Sequence, residues 1–304
     1  MTKEITVEEL TKEWSIMHCC NLAMSTQRAY TKYCNLYILP HIGDMKVESV
    51  RQCDIQSVVN NVVKKGFSSK SQKNLIGILH NIFEYGIING FLKYNPCKMI
   101  SINKTSPYEY NIYTEEQYQQ LLDYCKNSIE IVPILLAGIC GLRLSEVLGL
   151  RWSDINFENK SLHVHSAAVA LDTDIDLKAT PKTAAGNRII AVPQIVMKYL
   201  LKYYPGKDGF VYPSRQDPNK PEHGKYYYGR FKRMLKRAGL PHTRFHDLRH
   251  FAATSFLDAG VPDKYAAAYL GHSDTNMTRK YQHIRQQVIP YPMMSDNAIN
   301  IVNC

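Results

Sequence analysis

His246-Asp247-Leu248-Arg249-His250-Phe251-Ala252-Ala253-Thr254-Ser255-Phe256 opens a helix whose two faces differ in chemistry. Leu248, Phe251, Ala252, Ser255 and Phe256 recur at helical spacing and form an inward stripe. Beside that stripe His246, Arg249 and His250 fall at i, i+3 and i+4, which concentrates two imidazoles and a guanidinium on one face. A planar fork of N–H donors flanked by imidazole suits a phosphate oxygen. Standing alone, such a stretch is more often a capped and solvated helix start, so its meaning depends on the segments around it.

Three other segments collect uncommon residues. Gly141-Leu142-Arg143-Leu144-Ser145-Glu146 brings an arginine to the entry of a helix that follows an apolar one, with Glu146 at i+3, close enough to pair. By itself that is usually an ion-pair decoration. Leu270-Gly271-His272-Ser273 ends a helix on Gly271 and puts His272 at a turn, and Arg279-Lys280-Tyr281 follows, with Tyr281 nine residues beyond His272. One tyrosine among 21 carries almost no information alone. Basic neighbours, however, would hold a phenol near phosphate and favour its ionised form, otherwise rare at neutral pH for a group of pKa about 10. Finally, strand candidates at 162–165 and 188–192 bracket a polar stretch, 172–187, from which Lys182 of Pro181-Lys182-Thr183 could project as part of a hairpin. Asp172, Asp174 and Asp176 in that stretch do not make a calcium loop, because Leu177 stands where the loop needs glycine and Thr183 where it needs glutamate.

The chain has 304 residues, 45% of them hydrophobic, enough for a substantial core and for about two domains at roughly 150 residues each. Its 37 Lys and Arg outnumber 27 Asp and Glu, a net charge of +10 that favours a polyanionic partner. The most apolar run, 131–142, is short of the roughly 20 residues a bilayer needs. The N-terminus has no apolar signal region, and a cytoplasmic, membrane-free protein is expected. Eight cysteines without C-x-x-C or finger spacing predict reduced, mostly buried thiols.

Residues 1–102 read as helices alone, over 6–23 capped by Thr6, 25–39 capped by Ser25, 53–65 and 70–89, punctuated by Pro40, Gly43, Gly66 and Gly90. Twelve basic residues there exceed eight acidic ones. Residues 103–111, with Pro107 and no hydrophobic periodicity, read as a linker. Thr114 with Gln117 then makes a capping box that starts a helix through 124; a second helix, interrupted near Pro133, runs to about 139, and a third begins at 145–150. From 226 onward the pattern is helical again. Residues 225–249 hold eight Lys and Arg against Asp247 alone, with Tyr226, Tyr227 and Tyr228 interleaved. A basic helix is usually a solvated face, but Lys225, Arg230, Lys232, Arg233, Lys236 and Arg237 are candidate phosphate contacts, which would make affinity salt-dependent.

Taken jointly, these segments resemble the tyrosine recombinase (phage integrase) family, through Arg143, Lys182, His246 with Arg249, Leu270-Gly271-His272 and Tyr281 in the family's order over roughly residues 112–285. The resemblance implies a mixed, mainly helical fold: a four-helix core-binding (SAM-like) domain over 1–102, a linker at 103–111, and a catalytic domain over 112–304, helical with a small antiparallel sheet and a C-terminal tail. It implies that Tyr281 attacks the scissile phosphate to give a 3′-phosphotyrosyl link, with Arg143 and Arg249 on the non-bridging oxygens. His246 and His272 would add hydrogen bonds, and Lys182 would act as general acid. No metal or cofactor is expected. Double-stranded DNA is the expected partner, with a homo-tetramer assembling on it and accessory DNA-bending proteins a further possibility. The two basic halves are expected to clamp the duplex.

The helical module begins almost at Met1, so arm-type DNA sites are expected to go unused unless the chain has been trimmed. The long polar segment at 172–187 and the tail after Pro290 favour a mobile-element or prophage integrase over a Xer-like dimer resolvase. A type IB topoisomerase shares the Arg, Lys, His and Tyr chemistry, but the Leu-Gly-His segment and the small helical N-terminal module speak against it. A non-catalytic DNA-binding regulator on the same scaffold would have no use for all six positions.

Overall fold

The computed structural model describes residues 4–104, 111–171, 174–178 and 186–271. The chain divides into two compact units, Met1–Tyr108 and Glu109–Cys304.

In the first unit the elements are helices: α1 (Val7–Cys19), α2 (Met24–Tyr33), α3 (Leu39–Ile42), α4 (Gln52–Lys64) and α5 (Ser69–Ile88). Thr6 caps α1 by accepting the Glu9 N–H at 3.2 Å, and the Glu9 carboxylate accepts the Thr6 N–H at 2.9 Å. Ser25, expected as a cap, lies inside α2, which starts from Ala23 without a side-chain cap. The chain then passes through a wide π turn, Cys34–Ile38, into α3 with Pro40 in its first turn. Proline lacks the N–H that a first turn leaves unsatisfied anyway, so Pro40 opens a helical segment where the sequence reading had it close one. Leu10, Trp14, Ile55, Leu79 and Phe83 form the centre of this unit's core.

The second unit holds α6 (Glu115–Cys125), α7 (Ile131–Gly138), α8 (Leu144–Gly149), five strands, α9 (Gln194–Tyr203), α10 (Gly224–Arg237), α11 (Phe245–Asp258) and α12 (Asp263–Leu270). The capping box at α6 is present, with the Gln117 side chain accepting the Thr114 N–H at 3.1 Å and Thr114 accepting the Gln117 N–H at 3.3 Å. Pro133 does not interrupt α7 but sits in its first turn, for the same reason as Pro40. Every residue of α7 is buried, and α11, with Leu248, Phe251 and Ala252 buried, packs along it.

Strands β1 (Ile155–Asn156), β2 (Ser161–Val164) and β5 (Arg188–Ala191) form one antiparallel sheet in the order β1-β2-β5, with Leu162 opposite Ile190. The two expected strands, 162–165 and 188–192, thus pair with each other. Between them the structure inserts a second hairpin, β3 (Ala167–Leu171) with β4 (Asp174–Lys178), of which β4 falls within the polar stretch 172–187. Asp174-Ile175-Asp176-Leu177-Lys178 alternates polar and apolar residues with period two, which is a strand signal.

All seven cysteines among the described residues are free, and five are buried. Burial pushes Cys34, Cys97, Cys125 and Cys140 up to about 12, which leaves them protonated and inert. Among the described residues no helix is long and apolar enough to cross a membrane.

Between α7 and α8 the chain turns through Gly141, whose φ of +65° is a left-handed conformation and whose missing Cβ would stand 2.1 Å from Leu270 Cδ2. A side chain there meets both a backbone penalty and a close neighbour. Gly141→Ala is therefore expected to destabilise the second unit by ~1–3 kcal/mol. Urea unfolding measures this directly, and an unchanged midpoint would contradict the assignment.

Candidate active site

The Gly141 turn delivers two things to one place: its own carbonyl oxygen and, two residues later, Arg143 at the N-cap of α8. Glu146, in the first turn of α8, reaches back and accepts the Arg143 backbone N–H at 2.9 Å through Oε2 and its Nη1 at 2.7 Å through Oε1. Arg143 Nη2 donates to the Gly271 carbonyl at 2.9 Å. Gly271 is the left-handed cap of α12, with φ of 70°, and it turns this oxygen toward the arginine. The i+3 pairing expected between Arg143 and Glu146 is thus present, and the Leu-Gly-His segment joins it through a backbone atom.

Glu146 has a second partner that the sequence reading did not single out. Arg188, at the start of β5, donates Nη1 to Oε1 at 3.3 Å and Nη2 to Oε2 at 3.2 Å, a two-pronged pairing with both groups nearly inaccessible. Two more of its N–H groups go to carbonyls, Nε to Tyr269 at 2.8 Å and Nη1 also to Gly186 at 3.2 Å. Burial alone would raise the Glu146 carboxyl, but Arg188 and Arg143 outweigh it and hold the group at about 2. It is ionised at every physiological pH.

Arg249, expected on one face with His246 and His250, is the buried member of the three. It is 3% exposed and points inward, where Nη1 donates to the Gly141 carbonyl at 2.6 Å. Its Nη2 is buried and has no hydrogen-bond partner among the described residues. Burial, then the charge of Arg143, pushes its pKa down to about 9, so the guanidinium is still charged at neutral pH. An unsatisfied buried donor costs about 1–3 kcal/mol, more when charged, and so needs a reason.

His246 stands exposed at the first turn of α11, its ring 5.1 Å from that of His250 and edge-on to it. Contact with the surrounding protein, then the charges of His250, Arg249 and Arg143, bring His246 down to about 4, which makes it neutral near pH 7. Its neighbour Asp247 is buried and takes the Arg244 side chain at 2.8 and 3.1 Å and the Arg244 backbone N–H at 3.0 Å, anchoring the helix start. Arg143, Arg249 and His246 therefore converge. Lys182, His272 and Tyr281 lie outside the described residues.

Helix α10 divides the basic candidates. Tyr227, Phe231, Met234 and Leu235 face the core, while Lys225, Lys232, Arg233, Lys236 and Arg237 are exposed. Arg230 is not on that exposed face. Its side chain is 13% exposed and pairs with Glu222 and, at 3.3 Å, with Glu130, beside the rings of Tyr212 and Tyr227. Two buried carboxylates already hold its charge.

This helical fold around a small sheet, with its cluster of arginines, is that of a known enzyme class. Residues 111–287 match the phage integrase family and residues 7–103 the phage integrase central domain, so the chain belongs to the phage integrase family, tyrosine recombinases that cleave and rejoin DNA strands. It is similar to a XerC-like tyrosine recombinase of Caldanaerobacter subterraneus subsp. tengcongensis, 29% identical over 315 aligned positions that span 91% of this chain and 75% of the relative. The transposase of transposon Tn916 from Enterococcus faecalis is 26% identical over 269 positions, spanning 79% of this chain and 64% of the transposase. Among solved structures, the Tn1549 transposon integrase in complex with a circular intermediate DNA shares the fold with a TM-score of 0.77 at 23% identity, over 91% of this chain and 94% of that one.

The depressed His246 has a consequence for stability. With its folded pKa at about 4 and an ordinary value of 6.5, the unfolded chain takes up a proton between these values and the folded chain does not. Stability is therefore fully present above the higher value and falls as the pH drops through this window. His246→Gln should reduce the loss of urea-unfolding midpoint between about pH 7.5 and about pH 5. A loss equal to the parent's would contradict the assignment.

Proposed function

We propose that this protein integrates or excises a mobile element by transesterification at Tyr281. The phenolate oxygen of Tyr281 attacks the scissile phosphorus, the bond from phosphorus to the 5′-oxygen breaks, and a 3′-phosphotyrosyl link replaces it. Lys182 gives its proton to the departing 5′-oxygen. The free 5′-hydroxyl of the partner strand then reverses these steps on a second phosphotyrosine. Phosphoester bonds are exchanged one for one, so no external energy is needed. Arg143 and Arg249 bind the non-bridging oxygens as charge builds in the transition state, and His246 and His272 donate further hydrogen bonds.

The observation that carries this reading is the buried, charged Nη2 of Arg249, without a partner among the described residues and held beside Arg143 in a site whose carboxylate is already matched by Arg188. A neutral His246 fits it too, since an uncharged imidazole still donates one hydrogen bond. The exposed face of α10, with Lys225, Lys232, Arg233, Lys236 and Arg237, supplies phosphate-backbone contacts, and the basic first unit engages the same duplex. Two duplexes, each cut on both strands, call for four protomers, so the working assembly is a tetramer on DNA inside the cytoplasm, with DNA-bending partners where the sites require them. The likeness to the Tn916 transposase favours a mobile element as the substrate.

Tyr281→Phe should bind its DNA site as the parent does and form no covalent adduct, because only the attacking oxygen is lost. Denaturing gels read the outcome, and adducts persisting in the variant would move the nucleophile elsewhere. Tyr269 is poorly suited to replace it, since its hydroxyl is buried and donates to Ala191 O at 2.8 Å; Tyr265, which is exposed, is the better alternative.

The role of Lys182 is separable from phosphate binding. A substrate with sulfur in place of the bridging 5′-oxygen loses its leaving group without protonation. Lys182→Ala should cleave the natural site ~10²–10⁴-fold more slowly and the sulfur-substituted site at close to the parent rate. Equal impairment on both substrates would pass the role of acid to a histidine.

A further inference from the structure

The pairing of Arg188 with Glu146 is not explained by packing alone. Replacing a buried ion pair by apolar side chains is often neutral or stabilising, so two buried charges at the edge of a sheet imply a use. Glu146 is what fixes Arg143, through two of that arginine's N–H groups. A carboxylate that holds an arginine also cancels its charge, and an arginine cancelled in this way is a poor ligand for phosphate. Arg188 removes the conflict, because it matches the Glu146 carboxylate through both of its terminal nitrogens, while its Nε and Nη1 also donate to the Tyr269 and Gly186 carbonyls. Arg143, Arg188 and Arg249 set against Glu146 give the cluster a net charge of +2, and without Arg188 it would be +1.

We infer that Arg188 is a positioning residue of this site: it balances Glu146 so that Arg143 stays fixed in place while its positive charge remains available to the scissile phosphate. Arg188 also donates to the Tyr269 carbonyl in α12, while Tyr269 donates its hydroxyl to Ala191 in β5, so the same side chain ties the sheet to the helix that ends at Gly271. The sheet strand, the Arg143 turn and the Leu-Gly-His segment are thereby held in one register. The inference rests on the reading of Arg143 as a phosphate ligand.

The test compares rates of covalent adduct formation on two duplexes carrying the element's core site, one with the natural scissile phosphate and one with an uncharged methylphosphonate there. A purely structural defect slows both and leaves their ratio unchanged, whereas a loss of positive charge penalises only the charged substrate. Arg188→Met should shift the ratio toward methylphosphonate by about tenfold, less than the ~10²–10³ cost of removing a direct donor. Arg188→Lys, which keeps the charge, should hold the parent's ratio. Glu146→Gln, which adds a net positive charge and leaves no unpaired carboxylate, should shift the ratio the other way, and this arm stands even where Arg188→Met does not fold. Arg143→Met serves as the reference. If it shifts the ratio while Arg188→Met and Glu146→Gln do not, the inference about Arg188 is overturned. If Arg143→Met itself leaves the ratio unchanged, the assignment of Arg143 to the phosphate fails instead.

Discussion

The Glu146 carboxylate is the interaction on which the second unit's site depends. It sits in the first turn of α8, where the helix dipole favours a negative charge, and it receives donors from a backbone amide and two guanidiniums. Those donors come from the turn after α7 and from the edge of the sheet, and Arg143 reaches on to the cap of α12. Elements far apart in sequence are thus registered on a single group. Because Glu146 is held at about 2, this registration does not change over the pH range in which DNA is stable.

Around that carboxylate the electrostatics are left deliberately unbalanced. A protein interior ordinarily satisfies its buried donors, yet Arg249 is closed in with one nitrogen unpartnered among the described residues and with Arg143 as a like-charged neighbour. The repulsion is built in before the substrate arrives. A dianionic, pentacoordinate phosphorus would relieve it more than the monoanionic diester does, which is the differential binding that lowers a barrier. The burial of Arg230 between Glu222 and Glu130 has the opposite purpose: it fixes α10 to the body of the unit and leaves the remaining cations of that helix facing outward.

Much of this was legible in the sequence because it is local. The i, i+3 relation of Arg143 and Glu146, the capping boxes of Thr6 and Thr114, and the apolar stripe of α11 depend on neighbours a turn away, and periodicity reports them. Arg188 was passed over as an ordinary strand residue because its partners lie 42 and 81 positions away, a separation that no local pattern encodes. The same limit explains Arg230, which a basic helix makes look like a DNA contact until Glu130 is seen against it. Helical spacing puts Arg249 on one face with His246 and His250 but does not show its burial, since spacing gives a direction around the axis and not a depth. The second hairpin was missed for a different reason: β4 carries the period-two signal, but it lies in a stretch polar enough to read as a loop.

The central claim is that Arg143 and Arg249 are arranged, before DNA binds, to take the non-bridging oxygens of one phosphate. The most direct measurement is a crystal structure of the Tyr281→Phe variant on an uncleaved core site. The account requires Arg249 Nη2 to lie about 2.7–2.9 Å from a non-bridging oxygen of the scissile phosphate, with Nη1 still on the Gly141 carbonyl and Arg143 on the second oxygen. A scissile phosphate bound elsewhere, with Nη2 of Arg249 still unpartnered, would contradict it.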